Sequence, residues 1–587
     1  MEDEAVGQVS VRFKGENGDE LGGAGILLPV SVTSNQLQIL CNQLLESSDD
    51  PVPISFFTED HEAVGQVSIR FKGENGDELG GAGILLPVSV TSNQLQILCN
   101  QLLESSDDPV PISFFTEEGI EIVGSIEKSL EKIDFEKNDP NPEIVGSIEK
   151  SLEKIDFEKT LCLVYQPQAV FRVQPVTRCS SSMPGHGEPV ISAQFSPDGR
   201  ESDDFFRGLA SGSGDTTVRI WDIDTELPLF TCKGHKNWVL CIAWSPDSKK
   251  IASACKNGQI MIWDASTGTQ IGKTLSRHKQ WITHLAWQPM HKDPSCRYLA
   301  SAGKDGNILI WDTVKGTVER SLSGKFLRHT ACVTSIRWGG EGLIYSGSQD
   351  RTVKVWRASD GIICRNLVGH AHWINTLALN TDYALRTSCF DPKTGCNRPP
   401  SEAECQKVAL RRYEEAHKLL SVHTVCQKVA LRRYEEALKV CGGERLVSGS
   451  DDFTMFLWNP SESKSAIARL TGHQQLVNQV MFSPDTRYMA SASFDKSVKL
   501  WCGRTGKFIA SLRGHVNAVY QVAWSADSRL LVSGSADSTL KVWEIRSRRL
   551  HFDLPGHGDE VYTVDWSPEG TKVVSGGKDK VLKLWRQ

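Results

Sequence analysis

A mainly β chain, built as an eight-bladed propeller behind a small α+β unit, is predicted by three observations in this 587-residue sequence. One constellation recurs eight times, ending on Trp221, Trp263, Trp311, Trp356, Trp458, Trp501, Trp543 and Trp585. Ten residues before each tryptophan stands a serine, and six before it an aspartate, replaced only in the second unit by Asn257. A histidine leads each unit: His186, His235, His278, His329, His370, His473, His515 and His557. Second, apolar and polar residues alternate between these markers with β-branched enrichment, as in Thr539-Leu540-Lys541-Val542-Trp543, the pattern of short strands. Third, the last unit, Gly556 to Trp585, supplies three strands and no fourth, while the extended stretch Ala169 to Cys179 lies just ahead of the first leading histidine. Closing the ring with that stretch would remove the open edges that a sheet cannot leave unpaired.

Taken in order, the chain opens with repetition of another kind. Residues 4 to 59 recur as 62 to 117 with one change, Val11 to Ile69. Glu121 to Lys137 recurs unchanged as Glu143 to Lys159, and Cys405 to Ala416 as Cys426 to Ala437. Propeller units share only their markers, whereas these copies are almost verbatim; they read as duplicated exons or an error of gene assembly, not as architecture. One copy makes a compact unit. Gly65 to Lys72 alternates as a strand, Asn75-Gly76-Asp77 turns, and Ile84 to Val90 forms a second strand. Thr91 or Ser92 caps a helix over Asn93 to Leu103, with Leu95, Leu98, Leu102 and Leu103 at helical spacing. Pro111 to Thr116 returns as a strand, Glu143 to Glu158 is short helix or turn, and Leu161 to Tyr165 is the last strand. This order resembles a ubiquitin-like β-grasp. The boundaries expected are 1–61 as a poorly ordered partial copy, 62–166 as the ubiquitin-like domain with 121–142 as a duplicated insert, and 167–587 as the propeller.

The four marker residue types suit a hydrogen-bonded relay in which Trp N–H, Ser hydroxyl and His imidazole find partners inside a sheet and Asp holds a tight turn. In the last two units these are His515, Ser533, Asp537 and Trp543, then His557, Ser575, Asp579 and Trp585. Eight copies of a hydrolytic triad would have no purpose, so the His-Ser-Asp set is structural and no catalytic residue is assigned. The stretch Gly268 to Thr274, GTQIGKT, misses the phosphate-loop spacing by one residue and falls where an outer strand belongs. The fifth unit is interrupted: 88 residues separate His370 from Trp458 against 28 in the units that follow, and 390–443 is an insertion on one rim. Its segment Lys407 to Glu415 reads as a charged helix, and Arg411, Arg412, Arg432 and Arg433 are candidates for RNA contact, set against a solvated helix.

Composition limits the function classes. The chain is 39% apolar and 23% charged, with no apolar run near the roughly 20 residues of a membrane span. Its acidic start is not a signal peptide, so an intracellular protein is expected. Sixteen cysteines lack Cys-x-x-Cys pairs, and the loose group Cys389, Cys396 and Cys405 has neither the spacing nor the histidine of a zinc site. Residues 1 to 160 carry 31 acidic and 10 basic side chains, net −21, while the remainder carries 41 acidic and 55 basic, net +14. An acidic front suits a cationic or metal-bearing surface, and a basic propeller a ribonucleoprotein.

The repeat resembles the WD40 family, although only Trp221, Trp263 and Trp311 keep the aspartate that completes its signature. Outside the generic markers, Val164 to Arg172 (VYQPQAVFR), Thr231 to His235 with Asn237-Trp238-Val239, Asn380 to Arg386 (NTDYALR), Asp553 to His557 and Ser575 to Lys580 resemble the Notchless family of WD40 ribosome-assembly factors. That resemblance implies a non-enzymatic factor in large (60S) subunit biogenesis, acting in the nucleus and nucleolus. It implies that the front domain offers a glutamate to the metal-ion-dependent adhesion site of midasin, an AAA+ ATPase, while the propeller anchors on the pre-60S particle. The family's glutamate matches Glu158, just ahead of the last strand; Glu136 is its rival in the first copy, followed by the strand-breaking NDPNP. Mg²⁺ would be held by the partner, with no cofactor in this chain. The family name also implies a second reading, an adaptor acting on the Notch intracellular region. A third, a proteolytic substrate receptor, is weakened because the front domain has no Gly-Gly tail. A monomer within a large complex is expected. Three units place a tryptophan three residues after the leading histidine, Trp238, Trp281 and Trp373, where the others have Pro189, Cys332, Leu476, Ala518 and Glu560. That position opens either onto one face of the ring, where aromatics serve partner binding, or into packing between blades.

Overall fold

The computed structural model describes residues 8–14, 20–29, 66–73, 78–87, 90–102, 112–116, 122, 161–167, 172–197, 208–322, 328–388, 390 and 422–587. They fall into two compact units that divide between Gln166 and Pro167.

In the front unit, the first copy forms a two-stranded hairpin, β1 (Gln8–Lys14) with β2 (Glu20–Pro29). The second copy repeats that hairpin in the same register as β3 (Gln66–Gly73) with β4 (Glu78–Pro87). Only the second is built into a four-stranded sheet, in the order β4-β3-β6-β5, with β5 at Ile112–Thr116 and β6 at Leu161–Pro167. β6 pairs parallel to β3, Ile69 opposite Leu161. Helix α1 (Ser92–Leu102) sets Leu95 and Cys99 into a core with Ile69, Phe71, Ile112, Phe114 and Leu163. Its start is capped by Gln94, whose side-chain oxygen accepts from the Thr91 amide at 2.9 Å. The second strand begins at Glu78, not at Ile84: Glu78 and Leu79 already pair with Lys72 and Phe71, and the Gly-Gly-Ala-Gly run that follows sits at the register shift, after which Ile84 resumes the pairing opposite Ile69. The low order expected for residues 1 to 61, and the helix or turn expected over 143 to 158, lie mainly outside the described residues.

The second unit contains eight four-stranded antiparallel sheets, the blades. Their inner strands are Val190–Phe195, Val239–Trp244, Ile282–Trp287, Val333–Trp338, Ile374–Leu379, Val477–Phe482, Val519–Trp524 and Val561–Trp566. Each packs beside the next and the eighth beside the first, so the ring closes. Every inner strand carries a β-bulge at its second residue. Freed from its own ladder, that side chain reaches the neighbouring blade: Thr283 and Thr334 donate to the carbonyls of Val333 and Ile374, each at 2.5 Å, and Asn478 to that of Tyr520 at 2.6 Å. The cores lie between blades. Trp221 of blade one, for example, packs with Val574, Leu582 and Leu584 of blade eight.

The relay is present in every blade. Each marker tryptophan donates its indole N–H to the serine ten residues earlier, at 2.7 to 2.9 Å. The leading histidine meets the same hydroxyl through Nε2 at 2.7 to 2.8 Å. In seven blades its Nδ1 meets the aspartate, as in His515–Asp537 at 2.8 Å and His557–Asp579 at 2.7 Å. The aspartate also accepts from backbone amides around the turn, as from Thr539 and Val516 for Asp537. This fixes the following residue at positive φ, glycine in two blades but Thr216, Arg351, Phe453, Lys496, Ser538 and Lys580 in six. Burial pushes these carboxyls up, but hydrogen bonds from histidine, the turn hydroxyls and backbone outweigh it. Asp305 is held at about 2, and Asp215, Asp350, Asp452, Asp495, Asp537 and Asp579 are likewise lowered. Blade two lacks the carboxylate. His235 Nδ1 is buried with no hydrogen-bond partner, and burial lowers that imidazole to about 4.

The ring is closed by β7 (Arg178–Met183), which pairs with Leu582–Arg586, Trp585 opposite Cys179 and Leu582 opposite Met183. The predicted stretch, Ala169 to Cys179, overlaps it by only two residues. Two of its valines are used elsewhere. Val173 and Val176 are buried in the cluster between blades seven and eight, and the Val173 amide donates to Asp527 Oδ2 at 2.8 Å. Pro175 lies in that clasp, whereas the serine-rich β7 is drawn into the ladder by the open edge beside Trp585.

Three outcomes follow. Ser533→Ala removes the common partner of two buried groups and should cost about 1–3 kcal/mol for each left unsatisfied, read from urea unfolding. Val176→Ala should cost about 1–3 kcal/mol through loss of buried methyl groups in the clasp. Stability should decline as pH falls from about 6.5 toward 4, because the unfolded chain protonates His235, His329 and His473 more readily than the folded one. It should decline more steeply below about 4, where the relay carboxylates, ionised in the fold, become protonated on unfolding; urea midpoints at pH 7, 5 and 3 measure both.

Candidate interaction face

The loops that lead into the inner strands share one backbone bond. The carbonyl of the residue three after each leading histidine accepts the amide of the residue that follows the blade's second strand, as in Trp238 from Lys256 at 3.0 Å, Trp281 from Lys304 at 2.7 Å and Trp373 from Asp451 at 2.9 Å. Every blade thus presents a pair of side chains at equivalent places on one face, and the sequence chooses their chemistry. On blades two and three the pairs are Trp238 with Lys256 and Trp281 with Lys304; on blade five, Trp373 with Asp451. On blades six to eight they are Leu476 with Phe494, Ala518 with Ala536, and Glu560 with Lys578.

The three tryptophans are 44%, 41% and 46% exposed, while Ala518 at the same position is buried. Of the two readings open to the sequence, the side chains take the face. Lys256 Nζ lies 5.1 Å from the Trp238 ring centre and 4.4 Å from that of Trp281, and Lys304 Nζ lies 4.5 Å from Trp281. Trp373 has a different neighbour: its ring leans on His372, whose Nδ1 is 3.5 Å from Asp451.

The opposite end of the ring is occupied. The inner strands line a central cavity of about 450 Å³, and α2 (Asp382–Thr387), the NTDYALR stretch of the sequence, follows the inner strand of blade five across it. Asp382 accepts from Arg337 at 3.1 Å, and Arg386 makes two hydrogen bonds to Asp565 of blade eight at 3.0 and 2.5 Å. Arg337 also donates to Nε2 of His284 at 2.9 Å; burial first, and the Arg337 charge second, hold that imidazole neutral at about 3. The insertion returns here as α3 (Val422–Cys441), formed by the second of the two charged copies. Its base is clamped by Asn380, which donates to the Gly443 carbonyl and accepts the Arg445 amide.

Of the four candidate arginines in the insertion, Arg433 points inward and donates to Thr387 Oγ1 and the Ser388 carbonyl. Next to it, Tyr434 stacks on His291 at 4.8 Å. Arg432 is exposed and pairs with Glu436 at 3.0 Å. Arg411 and Arg412 lie outside the described residues, as do Glu158, Glu136 and the cysteine group. β6 begins three residues after Glu158. Among the described residues no group of three His, Cys, Asp or Glu side chains is placed to hold a metal, and no helix is long and apolar enough to cross a membrane. What sequence reasoning missed is the lysine partner of Trp238 and of Trp281; its signal was the second-strand exit, where Lys256 and Lys304 stand one residue before the relay position.

Comparison with known proteins agrees with this architecture. The profile of the NLE (NUC135) domain matches residues 9–66 and 67–130, once per copy. That of the WD domain, G-beta repeat, matches 177–222, 226–264, 269–312, 320–357, 464–502, 506–544 and 548–586. These seven stretches leave unmatched the outer strand of blade four and the first three strands of blade five, where the insertion parts the inner strand from the next. The first begins at β7, so each sequence repeat is displaced by one strand from the blade. The chain is similar to Protein Notchless of Drosophila melanogaster, 49% identical over 435 residues, covering 73% of this chain and 77% of that protein. It is 47% identical over 461 residues to Ribosome assembly protein 4 of Saccharomyces cerevisiae, covering 76% and 79%. It is 51% identical over 437 residues to a Notchless protein homolog of Arabidopsis thaliana, covering 74% and 79%. A crystal structure of the computationally designed Ika8 protein covers 70% of this chain and 100% of its own, with a TM-score of 0.50 and 25% identity. With eight relays, NLE matches at its front and about half of the aligned residues shared with these relatives over some three quarters of its length, the chain belongs to the Notchless family of WD40-repeat proteins.

Proposed function

We propose that this chain is a non-enzymatic assembly factor of the large ribosomal subunit, acting in the nucleus and nucleolus. The observation that carries the reading is the 47% identity to Ribosome assembly protein 4 over most of both chains. The division of charge supports it: net +14 beyond residue 160 suits an RNA-rich particle, and net −21 before it suits a cationic or metal-bearing partner. The propeller anchors on the pre-60S particle through the face that carries Trp238, Trp281 and Trp373. The front unit is a ubiquitin-like handle, and Glu158 completes the coordination of a Mg²⁺ ion held in the adhesion site of a midasin-type AAA+ ATPase. An exposed carboxylate from another chain is chemically suited to an open position in such an oxygen cage. The similarity to Protein Notchless of Drosophila melanogaster supports a second reading, an adaptor in Notch signalling.

Sedimentation separates the two. A tagged chain should co-migrate with large-subunit precursors on a sucrose gradient; absence from them, with recovery on a Notch intracellular region, would overturn the first reading. Glu158→Ala should abolish Mg²⁺-dependent capture of the ATPase while leaving the propeller's thermal unfolding unchanged, and undiminished capture would exclude this glutamate. Ten residues separate β6 from β7, so a pull on the handle runs directly into the clasp and the closing strand. A flexible 20-residue linker inserted after Gln168 should therefore preserve particle binding but slow release of the factor.

A further inference from the structure

The ring of equivalent side-chain pairs is uneven. On blades two and three, each leading loop contributes a lysine and a tryptophan, Lys236 with Trp238 and Lys279 with Trp281, and each second-strand exit contributes another lysine, Lys256 or Lys304. The result is a ladder, Trp238, Lys256, Trp281, Lys304, in which successive ring centres and ammonium groups are 5.1, 4.4 and 4.5 Å apart. The two indole centres therefore lie within about 10 Å of each other.

A second, independent feature falls on the same blade. Seven relays have an aspartate; the eighth has Asn257, directly after Lys256. The substitution leaves His235 Nδ1 buried and unpartnered, while Asn257 Oδ1 accepts from the side chain of Asn237 at 2.8 Å. Blade two thus forgoes a buried hydrogen bond that its seven siblings keep. What it gains is the absence of a carboxylate beneath Lys256. On blade three the turn carboxylate, Asp305, is taken up by His278 and backbone amides. Around Trp373, by contrast, the exit residue is acidic.

We propose that the blade two and three sector of this face binds unpaired RNA, stacking nucleobases on Trp238 and Trp281 and setting Lys256 and Lys304 against the phosphates. In the free chain the ammonium groups rest over the rings. As a nucleotide enters, its base takes the ring face and the lysine moves to the flanking phosphate. Single-stranded nucleic acid presents the alternation of flat π faces and anions that this ladder complements. An acidic peptide supplies the anions with no flat faces to stack on the indoles, and an apolar peptide leaves the lysines unmatched. The inference deepens the anchoring role proposed above and rests on it for the presence of RNA, but it is tested with purified components.

The test uses the purified full chain and a fluorescein-labelled 12-nucleotide oligouridine, followed by anisotropy between 50 and 200 mM KCl. Affinity should fall with salt, and Lys256→Ala should make the log–log slope shallower by about 0.7, the value for one single-strand phosphate. Trp238→Ala with Trp281→Ala should weaken binding at least about tenfold, since each stacked base is worth roughly that much. Asn257→Asp, which restores a relay partner for His235 and so keeps the fold, should also weaken binding several-fold. Val516→Ala, an exposed change on the loop of blade seven, should leave it unaltered. Absence of oligouridine binding, or equal binding by the double variant with unchanged thermal unfolding, would overturn the proposal. Tighter binding of an oligoglutamate peptide than of oligouridine would overturn it in favour of an acidic protein. The sedimentation experiment fails separately: a chain that binds oligouridine but is absent from precursors retains this site and loses the assembly role.

Discussion

Everything in the propeller depends on a hydrogen-bonded chain of side chains that spans each blade from its interior to its rim, four members long in seven blades and three in blade two. An indole N–H, a hydroxyl, an imidazole and a carboxylate could each be buried only at a cost of desolvation; joined in sequence they satisfy one another. The serine is the narrowest link, because one hydroxyl serves both the indole and the imidazole. Through the carboxylate the same chain reaches the turn between the second and third strands, holding a non-glycine residue at positive φ in six blades. Through the histidine it fixes the loop that enters the same blade's inner strand. The loops of the exposed face are therefore rigid because the interior is paired, and a side chain placed three residues after the histidine projects from a defined point.

The two ends of the ring have been given opposite roles by this construction. One end presents eight variable pairs on fixed loops, a surface whose chemistry can change blade by blade without disturbing the core. The other end is spanned by α2, with half-buried ion pairs to blades four and eight, and is further covered by α3. A half-buried pair such as Arg386–Asp565 contributes less to net stability than its geometry suggests, because both ions give up part of their hydration. Its value is positional: it ties the insertion-bearing blade to the blade that closes the ring.

The blades were legible in the sequence because the relay has fixed local offsets, serine at ten and aspartate at six before the tryptophan, which no loop length can disturb. The closing strand was harder. Ala169 to Cys179 has the β-branched content of a strand, yet Val173 and Val176 are used for burial between blades, while Arg178–Met183, with three consecutive serines, pairs because an edge beside Trp585 is waiting for it. Strand propensity is a property of the receiving surface as much as of the segment. Arg433 teaches the same lesson for charge: it stands beside Arg432 in the sequence, but neighbouring helical positions point about 100° apart, and α2 receives one while the other stays in water. The exposure of Trp238 and Trp281 also required three dimensions, since a tryptophan ahead of an inner strand fits a face and an inter-blade core equally well in one.

Ring closure joins residues 178–183 to 582–586, so the two halves of one ladder are made some 400 residues apart. At roughly 5–20 residues per second, ribosomal synthesis separates them by tens of seconds. During that interval the earliest β-strand of the propeller has no partner, and the growing array ends in a raw edge that advances one blade at a time. An unpaired edge of that kind is a template for association with any other extended chain. The propeller is thus a structure that completes itself last where it began first, and its newborn form has most need of a chaperone before its final strand has been translated.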